Sequence, residues 1–161
     1  MRADLGSTMR SCLFWIIPCV STCLSADAQH LDLAGLNKAF GEGVKLRLDK
    51  EDRLVADHRD GSGLFRQDMA YLTRLDTNSI AYSEEEQAIV VKCSGAFPQC
   101  IEKEIFKMNT ISHTNRMNLP LQADEATRLA VVQGLRGWMA AEQRRIASAP
   151  GETRTPAKRK K

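Results

Sequence analysis

His58-Arg59-Asp60-Gly61-Ser62-Gly63 places an imidazole, a guanidinium, a carboxylate and a hydroxyl within one short stretch. Asp57, His58 and Ser62 are the residue types of a nucleophilic triad, whose partners must converge in space. Neighbours along one strand point to opposite faces, so this spacing does not bring them together. The stretch reads instead as a solvated strand end followed by a turn, where glycine tolerates the backbone that a tight reversal needs. His58-Arg59-Asp60 has no glycine-rich phosphate loop before it and no Asp-Phe-Gly after it, which excludes a phosphoryl-transfer catalytic loop. Asp49, Glu51, Asp52, Asp57 and Asp60 offer carboxylates for glycoside hydrolysis, but their placement on polar strand faces and turns assigns them to solubility. Glu84-Glu85-Glu86 lacks the interleaved spacing of a calcium loop and reads as a solvated turn. No GxSxG, HExxH or phosphate-loop motif occurs. The enzymatic alternative is therefore a small hydrolase whose residues meet only in three dimensions, with His58 or His113 as base.

Cysteine chemistry points elsewhere. The chain has five cysteines, of which Cys12 adjoins, and Cys19 and Cys23 lie in, an apolar run from Leu13 to Leu24. Arg2 and Arg10 precede that run, Pro18 interrupts it, and Ala26-Asp27-Ala28 follows it. About a dozen apolar residues are too few to span a bilayer, where about 20 are needed. Basic flank, short apolar centre and small-x-small end are the pattern of a secretory signal peptide. Residues 1–28 are read as that signal, cleaved between Ala28 and Gln29. Met1 and Met9 are alternative starts, and lipoprotein processing at Cys23 is the minor alternative. Removal leaves Cys93 and Cys100, and an even pair in an exported chain predicts a disulfide. Zinc held by Cys93, Cys100 and His113 is disfavoured by the long gap and the missing second half-site. No cofactor or metal is expected.

The elements that position these groups follow from periodicity. Residues 29–43 predict a short lead-in helix carrying Leu33, Leu36 and Phe40, stopped by Gly41 and Gly43. Val44, Leu46 and Leu48 alternate with Lys45, Arg47 and Asp49, the pattern of a half-buried antiparallel strand. Further short strands are expected at 54–56, 69–75, 80–82, 88–93 and 101–108. The β-branched run 88–93 is the central one, and 118–121 is an edge segment because Pro120 cannot donate to a ladder. Asp124 then caps a helix from about Glu125 to Ile146. Its apolar stripe is Leu129, Val132, Leu135, Trp138 and Met139, read as core. Gly134 and Gly137 would let it lie close on a sheet.

Strands first and a helix last indicate an α+β domain over 44–147. The expectation is a small curved antiparallel sheet or partly open barrel of about five to seven short strands, capped by the C-terminal amphipathic helix. In element order alone this layout is similar to a pleckstrin-homology-like barrel.

Composition allows one ordinary domain: 161 residues, 43% hydrophobic and 27% charged, with a formal net charge of +3. That bias is too small to mark a nucleic-acid binder. From Arg144 onward there are seven basic residues and one acid, while residues 29–143 carry a net −3. The tail 148–161 is aperiodic and read as disordered, ending in Lys158, Arg159, Lys160 and Lys161, a candidate contact for an anionic membrane surface. The functional expectation is an exported, periplasmic or secreted, non-catalytic binding or structural module with a protein or membrane-surface partner and no membrane span in the mature chain.

Overall fold

Strict alternation in residues 44–48 builds an edge strand whose Val44 and Leu46 are buried while Lys45 and Arg47 face water. The computed structural model describes residues 31–149, and the expected signal, its cleavage site at Ala28 and Gln29, Cys23 and the tail from Pro150 to Lys161 lie outside them. Helix α1 (Leu33–Phe40) is capped by the Asp32 carboxylate, which accepts from the Gly35 N–H at 2.7 Å. Gly41 ends it with φ +64°, a backbone glycine adopts without strain.

Eight strands follow: β1 (Val44–Leu48), β2 (Arg53–Asp60), β3 (Gly63–Tyr71), β4 (Leu75–Ser83), β5 (Ala88–Cys93), β6 (Ile101–Ile105), β7 (Thr110–Thr114) and β8 (Arg116–Pro120). They form two antiparallel sheets, one in the order β1-β2-β3-β6-β7 and the other in the order β4-β5-β8. The long helix α2 (Glu125–Ser148) is the last element among the described residues. The architecture is α+β with a curved, unclosed sheet, as periodicity predicts, with one strand beyond the expected five to seven. β7 is the strand that alternation did not reveal. It is exposed at four of its five residues, so no buried face marks it.

The β-branched run is central in its sheet, with Ile89, Val90 and Val91 all buried. β8 is an edge strand, and Pro120 ends it without a donor to waste. The core gathers Leu36 and Phe40 of α1, Leu46, Leu54, Ala56 and Ala70 of the larger sheet, Ile89, Val91, Met117 and Leu119 of the smaller one, and Leu135, Trp138 and Met139 of α2. The helix stripe is shifted from expectation: Val131 and Val132 are buried, while Leu129 is 55% exposed. Gly134 admits the side chain of Leu31 rather than a sheet, with a Cβ there meeting the Leu31 Cβ at 2.7 Å.

The turn chemistry is local. Asp49 accepts from the N–H groups of Glu51 (2.8 Å) and Arg53 (2.9 Å) and from Arg53 Nε (2.7 Å), fixing the β1–β2 hairpin. Burial works against its charge, yet these donors outweigh burial and hold its carboxyl below the ordinary aspartate value.

Candidate functional site

Continuing the alternation Leu54, Ala56 along β2 carries His58 to the inner face, where it is 2% exposed. This corrects the expectation of a solvated strand end. Asp57, one residue earlier, lies on the opposite face, also buried, held by Gln67 Nε2 at 2.6 Å and Arg47 Nε at 3.2 Å. Of the carboxylates assigned to solubility, Asp57 is thus the exception. Asp60 is exposed and binds the Ser62 hydroxyl and N–H within its own turn.

His58 meets two groups from β3. Its Nε2 is 3.2 Å from Asp68 Oδ2, and Asp68 has no exposed surface. Arg66 Nη2 lies 3.2 Å from Nδ1 and 3.0 Å from Nε2. A guanidinium only donates, so the ring nitrogen that serves it must offer a lone pair. The assignment that satisfies both neighbours has Nε2–H donating to Asp68 and Nδ1 accepting from Arg66. Arg66 Nη2 also donates to the Asn118 carbonyl on β8 at 3.2 Å. Asn118 in turn donates from Nδ2 to Glu86, whose other oxygen pairs with Arg116 at 2.7 Å. A polar chain therefore runs from the interior to the surface and joins the two sheets where no ladder does. Arg66 Nε and Asp68 Oδ1 stand 3.2 Å apart without a directed hydrogen bond, and Asn118 Oδ1 is buried without a donor.

The other histidine has the opposite environment. His113 is exposed on β7, opposite Glu102 of β6, and lines a groove of about 690 Å³. That volume falls within the usual range of ligand sites, about 300–1,000 Å³. The remaining wall is Arg74, Thr114, Asn115 and the loop 96–100. A smaller adjoining recess of about 110 Å³ reaches Tyr71, Met69 and Glu102 on the outer face of the larger sheet. The two histidines thus divide what a general base needs: His58 has a carboxylate in reach, and His113 has the cavity.

The loop that walls the groove is closed by the Cys93–Cys100 disulfide, Cα–Cα 5.7 Å, as the cysteine arithmetic predicts. It does more than hold a turn between neighbouring strands, because β5 and β6 belong to different sheets. Ser94 N–H bonds the Arg74 carbonyl at 2.8 Å, which ties the loop to the 3-10 turn Leu72–Arg74. That turn projects the Arg74 guanidinium over two rings, 4.7 Å from the Tyr71 centroid and 5.1 Å from that of Phe97. Among the described residues, no carboxylate lies within ion-pair distance of it. Sequence reasoning did not single out Arg74, Tyr71 or Phe97.

Among the described residues, no three His, Cys, Asp or Glu side chains gather in a metal-binding group. No helix among them is long and apolar enough to cross a membrane. Comparison of the chain with protein-family models, with curated proteins and with solved structures finds no match.

Proposed function

We propose that the chain is an exported, non-catalytic binding module that takes a carboxylate-bearing ligand in the groove beside the Cys93–Cys100 loop. Export is supported by the signal-like run before Gln29 and by a disulfide, which persists in oxidising compartments. The observation that carries the binding reading is Arg74. Its charge is held over Tyr71 and Phe97 at the groove wall and, among the described residues, is not neutralised by a carboxylate. Cation–π contact fixes a guanidinium while leaving its N–H edge open to a planar anion, and arginine binds carboxylates through two parallel bonds. Gln99, Asn115 and His113 supply further polar atoms around the same space.

The test is a titration of the exported product, whose intact mass is expected to begin at Gln29. The probes are short peptides with a free C-terminal carboxylate and the same peptides amidated. Free carboxylates are expected to shift the amide NMR signals of Gln99, His113 and Asn115, and amidated ones are not. A charged hydrogen bond contributes about 1.5–3 kcal/mol, so Arg74→Ala is expected to weaken binding by about ten- to a hundredfold. Equal affinity for Arg74→Ala, or equal affinity for the amidated peptides, refutes the reading.

A further inference from the structure

Each sheet edge exposes a row of N–H and C=O groups that can pair with another strand. Of the four edges formed by the described residues, three carry a side chain from another element. On β1, Leu46 N–H donates to Asn37 Oδ1 at 2.6 Å and Leu46 C=O accepts from Asn37 Nδ2 at 2.9 Å, so one amide imitates a neighbouring strand. On β4, Arg136 donates to the Ile80 carbonyl. On β8, Arg66 donates to the Asn118 carbonyl. The fourth edge is β7: among the described residues its backbone has the Cys93 sulfur 3.7 Å from the Thr114 carbonyl, but a disulfide sulfur has no proton to donate, so no side chain from another element caps this edge as the others are capped.

We propose that β7 pairs antiparallel with β7 of a second copy of this chain, joining two five-stranded sheets across a two-fold axis. Charge favours this occupant. The strand reads Thr-Ile-Ser-His-Thr, with no permanently charged residue, so self-pairing sets no like charges opposite one another. Glu102 and Glu104 sit one strand inward on β6. The β6 strands of the two copies would stand three strand spacings apart, about 14 Å, beyond the Debye length of about 8 Å at physiological salt. A register centred on Ser112 pairs all five residues, setting Thr110 against Thr114 and Ile111 against His113. Partners in this register share parity, so the outward backbone groups match whichever alternate set faces out. Pairing also covers Ile111, which is 47% exposed. The proposal stands apart from the groove reading: one rests on Arg74, the other on the β7 backbone.

Sedimentation velocity on the full chain as purified tests it, across low to high micromolar concentration. The expected result is a concentration-dependent rise from monomer to dimer mass. Ile111→Lys places a lysine across from Glu104, which supports the fold while guarding the edge. It is expected to raise the dimer dissociation constant at least tenfold, with the circular-dichroism melting temperature unchanged or higher. Ser112→Cys is expected to give a covalent dimer under mild oxidation, with the parent chain as blank. Thr110→Cys is expected not to, because the two copies of that position lie about 13 Å apart along the strands. A chain that stays monomeric throughout, a dimer indifferent to Ile111→Lys, or equal cross-linking at 110 and 112 overturns the proposal.

Discussion

Asp68 has no exposed surface, and its two neighbours, His58 and Arg66, are the groups that justify its charge there. Removing one partner of a buried charge pair leaves the other uncompensated, which typically costs about 3–5 kcal/mol. Asp68→Ala is expected to destabilise the fold by about that amount, and Asp68→Asn by less because it retains an acceptor for the imidazole. Urea unfolding measures both, and an Asp68→Ala midpoint equal to the parent's would show the cluster to be energetically idle. The burial of His58 was legible in principle: Leu54, Ala56 and His58 share one alternation, and extending the 54–56 strand by two residues places the ring inside. The polar type of the residue obscured that signal. Cys93 and Cys100 were legible from parity and compartment alone. Arg74, Tyr71 and Phe97 were not, since a 3-10 turn, a strand end and a loop meet only after both sheets have formed.

Elements with at least one buried face announced themselves. β1, β5, α1 and the Asp124-capped start of α2 all follow from spacing and capping residues, and Asp124 does accept from the Thr127 N–H at 2.7 Å. β3 was cut short in the sequence because Arg66 and Asp68 occupy inward positions that alternation reserves for apolar residues. β7 was missed because neither face is buried. Helix packing holds a similar surprise at Gly134. Alanine ordinarily stabilises a helix interior by about 1 kcal/mol over glycine. Here its methyl would stand 2.7 Å from Leu31 Cβ and 2.8 Å from Leu31 Cδ1. Overpacking costs about 1–3 kcal/mol, so Gly134→Ala is expected to lower stability by about 1–2 kcal/mol. In a Leu31→Gly background, which removes the Cβ as well as the branch, the same change is expected to be neutral or stabilising, the mark of direct coupling. Thermal unfolding of the four proteins measures it, and additive losses would place the strain elsewhere.

At the scale of the molecule, side chains do what closing strands do in a complete barrel. Arg66 bridges β3 to β8, Arg136 fastens α2 to β4, Gln143 donates to the carbonyls of Leu72 and Leu75, and Asn37 occupies the edge of β1. The Asn37 contact has a consequence for assembly. A pair joined at β7 is finite, because its two outermost strands are both β1 and both are stopped by an asparagine amide. Asn37→Ala combined with Lys45→Thr, which removes the like charge that would face Arg47, would bare a second self-pairing edge at the far side of each copy. Alternating β7–β7 and β1–β1 joints can then repeat without limit, turning a closed two-fold object into an open filament. Light scattering of that variant is expected to climb with time and concentration, and Ile111→Lys in the same chain is expected to cap growth at pairs. One carboxamide on one short helix and one lysine on the strand it covers would then separate a dimer from a fibre.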